Sequence, residues 1–110
     1  MTLLDERCRH DASALTANDI AALLPQVEGW SVDGASLVRE FGFRNYHETM
    51  EFVNALAWVS HTQDHHPELT VTYKACKVRY NTHSAGGAIS RNDFVCAART
   101  DALFAQQAAA

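Results

Sequence analysis

Residues 60–73, SHTQDHHPELTVTY, change their period midway, and that change sets the fold. Up to Ser60 the apolar positions Tyr46, Met50, Val53, Leu56 and Ala57 recur at helical spacing, and the run continues towards Asp64. From Leu69 onward the spacing is two, with Leu69, Val71 and Tyr73 alternating with Thr70, Thr72 and Lys74. Pro67 marks the boundary. A residue before proline is steered out of helical geometry, so the chain at His66 is expected to turn extended. A helix therefore feeds directly into a strand, and His65 and His66 occupy the corner.

Downstream, Val78, Tyr80 and Thr82 alternate with Arg79, Asn81 and His83, which supplies the second arm of a hairpin. Upstream, the stretch 37–43 alternates with Leu37, Phe41 and Phe43 on one side. Trp30 and Val32 form a short partner strand across the Asp33-Gly34 turn. Three helix starts are legible. Thr16 and Asp19 make a capping box with Leu15 and Ile20 as its hydrophobic staple, predicting a helix from Ala17 to about Val27. Asn45 with Glu48 starts the second helix, which carries Phe52 and Trp58 as expected core or subunit contacts. Ser90 with Asp93 starts a third, stapled by Ile89 and Phe94 and running through Ala98 to about Ala105. The order α-β-β-α-β-β-α predicts an α+β domain, a four-stranded antiparallel sheet with three helices on one face. Residues 1–14 and 106–110 are weakly patterned and expected to fray, leaving a single domain over 15–105.

A chain of 110 residues suits one domain with one core. Its net charge of -4 argues against broad binding to nucleic acid or an anionic membrane. The basic trio Lys74, Lys77 and Arg79 reads as a solvated strand edge. The start, MTLLDERCRHD, has no apolar signal-peptide region, and no run reaches the length of a membrane-spanning helix. Cys8, Cys76 and Cys96 are widely spaced and form no CxxC pair. That pattern fits reduced thiols in a cytoplasm better than a disulfide framework or a zinc finger.

The histidines carry the chemistry. At a helix C-terminus the carbonyls, together with Asp64 and Glu68, favour the imidazolium, while burial opposes it. If the last hairpin turns at Lys74 and Ala75, His83 faces His66 at roughly 5 Å between Cβ atoms. Three imidazoles and a carboxylate then converge beside Gly86-Gly87. Zinc competes for such a set. Against it, neighbouring residues at a helix end point in different directions, and the chain has no HExxH, HxH or paired-cysteine spacing. Nucleophilic catalysis is weaker, because Ser84 lies on no GxSxG elbow and Ser90 is better explained as a cap. Acid-base chemistry by free imidazoles suits a group with a pKa of about 6.5.

Asp64-His65-His66-Pro67-Glu68, Tyr73, Thr82-His83, Gly86-Gly87 and the stretch from Ser90 to Asp93 together resemble the pterin-4a-carbinolamine dehydratases. The likeness extends upstream to Gly29-Trp30 and to Leu37, Arg39, Phe41 and Phe43. It spans about Leu15 to about Leu103.

The resemblance implies the same element order, a homodimer or homotetramer, and no metal or redox cofactor. It implies dehydration of 4a-hydroxytetrahydropterin, the product of aromatic amino acid hydroxylases, to quinonoid dihydropterin. His65, His66 and His83 would be the catalytic residues, and Asp64, Trp30, Glu68 and Asp93 would bind substrate or support them. We expect His65 and His83 to exchange protons while His66 orients the substrate. Leu69 departs from a tryptophan common in the family, His61 from a glutamate, and the loop Gly86–Ser90 is one residue longer. The alternatives are a metal-dependent hydrolase or isomerase using the same histidines, and a non-catalytic pterin- or protein-binding module.

Overall fold

The structure, a computed structural model, describes residues 2–109. The elements are α1 (Ala17–Leu23), β1 (Ser31–Asp33), β2 (Ser36–Gly42), α2 (Tyr46–Gln63), β3 (Glu68–Val71), β4 (Ala75–Tyr80) and α3 (Arg91–Ala109). The strands form one antiparallel sheet in the order β1-β2-β4-β3. This is the expected α+β architecture, and it makes β4 a central strand whose exit delivers Thr82 and His83 to the middle of one sheet end.

Local chemistry explains the boundaries. Thr16 accepts the Asp19 N–H at 3.1 Å and the Asp19 carboxylate accepts the Thr16 N–H at 3.4 Å, closing the expected box. The α-helix stops at Leu23 rather than Val27, and Leu24–Gln26 form a single 3-10 turn. Pro25 has no N–H to continue the ladder. Asn45 caps α2 by accepting the Glu48 N–H at 2.8 Å, while the Glu48 carboxylate turns back to the Arg44 N–H.

The other end of α2 is a Schellman turn. Asp64 adopts the left-handed conformation, with φ 49° and ψ 44°. The Asp64 N–H donates to the His61 carbonyl and the His65 N–H to the Ser60 carbonyl. The helix is thus closed before the proline is reached, and His65 and His66 leave it along a new direction.

The last hairpin departs from expectation. Glu68 pairs with Arg79 and Leu69 with Val78, a register two residues away from the one that sets His66 against His83. The turn falls at Tyr73-Lys74, closed by Thr72 N–H to the Ala75 carbonyl at 2.9 Å. Alternation with period two decides which face each residue takes, and a two-residue slip leaves every face unchanged. Only the turn distinguishes the two registers. His83 accordingly lies past β4, in a single 3-10 turn, His83–Ala85.

The core lies between the sheet and α2 and α3. Leu37, Phe41, Cys76, Val78 and Tyr80 meet Phe52 and Leu56 of α2 and Phe94, Val95 and Ala97 of α3, all of them buried. Phe41 sits 4.9 Å from Phe52 and 5.0 Å from Phe104 between ring centroids, close enough for tilted aromatic pairing. Trp58 is 66% exposed and takes no part in this core. No described helix is long and apolar enough to cross a membrane.

The N-terminal segment lies against α3. Leu3 is buried, Glu6 holds the Arg91 guanidinium through two bonds of 2.6 and 2.7 Å, and Arg99 donates to the Glu6 carbonyl at 2.6 Å. At the other end α3 continues to Ala109, past the expected end near Ala105.

Candidate active site

A cavity of about 550 Å³ opens where α2 passes into β3. Asp64, His65, His66, Pro67 and Glu68 form one wall, and Arg79, Asn81, Thr82, His83 and Ser84 another. All three expected histidines therefore reach one cavity, although the hairpin register differs from the expected one. Past β4 the chain bridges back, with the Thr82 N–H donating to the Ala88 carbonyl at 2.9 Å. That bridge holds the His83 turn beside the cavity. Asp64 and Glu68 lie on the rim. Trp30 does not line the cavity. It is buried against Phe41 and Tyr80, and its Nε1–H donates to Asp101 at 2.8 Å.

The three histidines differ in setting. His66 and His83 are exposed, whereas His65 is buried. The His65 ring lies nearly parallel to the Tyr80 ring, 5.8 Å away at 11°. His65 Nε2 stands 2.6 Å from Asp93 Oδ1. Asp93 is itself fully buried. Its Oδ2 accepts the Thr82 hydroxyl at 2.9 Å and the Ser90 N–H at 2.8 Å. The carboxylate is therefore fixed by donors on three sides.

Asp93 was legible as a capping residue, and it does cap, since it takes the Ser90 N–H. Ser90 Oγ, however, accepts from Asn92 N–H at 3.2 Å and pairs with the Thr82 hydroxyl at 2.6 Å instead of completing the box.

Burial by itself would lower the His65 pKa, but the hydrogen bond and charge of Asp93 outweigh it and raise the pKa above 6.5. Nε2 is bound to Asp93, Nδ1 makes no hydrogen bond among the described residues, and the His65 side chain lines the cavity. A buried imidazole lining a polar pocket, its charged form favoured by Asp93, can give a proton and take it back. Among the described residues no group of three His, Cys, Asp or Glu side chains is arranged to hold a metal ion.

Arg9, His10 and Asn92 complete the lining, and none was legible as a site residue. Asn92 reads the Arg9 backbone in both directions. Its Oδ1 accepts the Arg9 N–H at 2.9 Å and its Nδ2 donates to the Arg9 carbonyl at 2.7 Å. The Cys8 N–H donates to Gln63 Oε1 at 2.9 Å. No hydrophobic period marks an irregular segment held by side-chain amides, so pattern reading passes over it.

Cavities of this volume suit small molecules. The fold and the cavity define an α+β protein with a polar, small-molecule-sized pocket at one end of its sheet. The sequence model of the family described as pterin 4 alpha carbinolamine dehydratase matches residues 13–103, and the chain belongs to that family. It is 48% identical to a candidate pterin-4-alpha-carbinolamine dehydratase of Nitrosospira multiformis, over 88% of this chain and 85% of that one. With a candidate from Stenotrophomonas maltophilia the identity is 55%, over 79% and 76% of the two chains. A solved transcriptional coactivator/pterin dehydratase from Brucella melitensis matches with a TM-score of 0.78 at 28% identity. That match covers 83% of this chain and 98% of the other.

Proposed function

We propose that this chain dehydrates a pterin-4a-carbinolamine to quinonoid dihydropterin by general acid-base catalysis. The observation that carries the reading is the His65–Asp93 pair in the wall of a cavity that His66 and His83 also line. A carbinolamine holds nitrogen and hydroxyl on one carbon, so the nitrogen lone pair can expel the hydroxyl. Expulsion needs a proton on the leaving oxygen and removal of the proton from nitrogen. His65, kept charged by Asp93, is the acid and protonates the oxygen. His83, exposed at the cavity wall, takes the proton from nitrogen. His66 orients the substrate. No covalent intermediate is required, and a substrate of this class is what an aromatic amino acid hydroxylase releases.

We infer that the chain acts as a homodimer or homotetramer, which would cover the exposed rings of Trp58 and Tyr46.

An ultraviolet assay for quinonoid dihydropterin formation from 4a-hydroxytetrahydropterin tests the function. Acceleration over the spontaneous reaction is expected. Losses of about 10²- to 10⁴-fold are expected for His65→Ala and His83→Ala, the usual worth of a positioned acid or base. A smaller loss, mainly in KM, is expected for His66→Ala. No acceleration by the wild type removes the reading, and equal small losses for all three variants remove the division of roles. Elemental analysis of the purified protein separates the metal-dependent alternative, for which stoichiometric zinc or iron would be the signature.

A further inference from the structure

Cys8 and Cys96 lie far apart in the chain, yet their Sγ atoms are 3.4 Å apart. Cys96 is buried on α3, whereas Cys8 is half-buried on the N-terminal segment. The two thiols are also placed unequally. The two sulfurs share a hydrogen bond in which either can be the donor, and that bond together with burial pushes the Cys96 thiol far up. The bond to Cys96 and the nearby His65 outweigh burial at Cys8 and draw it below the ordinary thiol value. The more accessible thiol is thus the better nucleophile, and the buried one waits in contact behind it. Cys76, buried and raised to about 11, has no such partner among the described residues.

We propose that Cys8 and Cys96 are a redox-convertible dithiol whose oxidation by a peroxide covalently clasps the N-terminal segment over the cavity. The Cys8 thiolate attacks a peroxide oxygen, the O–O bond breaks, and Cys8 becomes a sulfenic acid as the peroxide is reduced to water. Cys96 sulfur then attacks the sulfenic sulfur, the S–O bond breaks, and the thiol proton leaves with the hydroxyl as a second water. Together the two thiols lose two electrons, which the peroxide accepts.

The consequence follows from position. Arg9 and His10 come directly after Cys8 and line the cavity, held there by noncovalent contacts such as the two hydrogen bonds between Asn92 and the Arg9 backbone. The disulfide turns that reversible docking into a covalent one, while reduction by a dithiol restores it. This inference does not depend on the dehydratase reading.

Hydrogen peroxide is the probe, applied to the native full-length protein. The protein is then denatured, alkylated with iodoacetamide and weighed intact. Untreated protein is expected to take three alkyl groups, one for each free cysteine. Treated protein is expected to take one, on Cys76, with a peptide joining Cys8 to Cys96, and dithiothreitol restores all three. Cys8→Ser and, as a second replacement, Cys8→Ala keep both remaining thiols after the same treatment. The same full alkylation in treated wild type overturns the proposal. So does loss of both thiols in the Cys8 variants, or Cys8 oxidised beyond the sulfenic stage while Cys96 is still alkylated. Trypsin reads the clasp itself. Cleavage after Arg7 and Arg9 is expected to slow severalfold in the oxidised wild type and to recover on reduction, and equal rates in the two forms would refute the clasp.

Discussion

Asp93 shows how one residue can be half legible. Its place three residues after Ser90 announces a cap, because capping is a matter of sequence offset. Its partnership with His65 depends on burial and on the path of β4, neither of which a local pattern encodes. The contest between burial and charge at His65 makes a sharp expectation. In Asp93→Asn the opposing charge is gone and burial prevails, so the His65 pKa falls from above 6.5 to below it. A histidine NMR titration of the two proteins reads this directly, and an unchanged value would show that Asp93 does not hold the charge. The same pair gives stability a pH dependence. A histidine whose folded pKa is raised contributes fully below its unfolded value, near 6.5, and loses that contribution as pH rises through the folded value. The melting-temperature gap between wild type and His65→Gln should therefore narrow as pH rises above about 6.5. A constant or widening gap contradicts the assignment.

At the scale of elements, the helix-to-strand corner was readable because proline and the change of period coincide at 64–69. What the sequence concealed was the device. Asp64 is the one non-glycine residue with positive φ among the described residues. Branched side chains tolerate that conformation poorly. Asp64→Val should cost about 1–2 kcal/mol in urea unfolding, whereas Asp64→Gly should stay within about 1 kcal/mol of wild type. Equal effects would mean that the side chain, not the backbone, matters there. The hairpin gives the complementary lesson. Alternation assigned Leu69, Val71, Val78 and Tyr80 to one face, and the structure agrees. Face assignment carries no information about a slip of two, so only the Thr72–Ala75 turn, a short polar stretch without glycine, fixes the register. The helix start at Thr16 was legible in full, whereas apolar spacing carries the expected end to Val27 and Pro25, which has no N–H, ends the α-helix at Leu23.

For the whole molecule, the order of elements followed from periodicity, caps and turn residues, and the composition of the cavity did not. The histidines announced themselves by their spacing, whereas Arg9, His10 and Asn92 met them only through the packing of an unpatterned start against α3. The cavity wall is consequently drawn from positions 9 to 92, nearly the full span of the chain. No smaller folding unit contains it. A ligand in such a cavity acts as a thermodynamic brake on global unfolding, since every route to the unfolded state must first release it. On the proposed function, biopterin, a stable pterin, at about a hundred times its Kd should add about 2.7 kcal/mol to unfolding. That shift should slow hydrogen exchange by a common factor at the most protected amides of β2, β4 and α3 alike. Slowing confined to residues 64–68 would instead reveal a corner that binds on its own, and a protein whose ligand reports on a loop rather than on the fold.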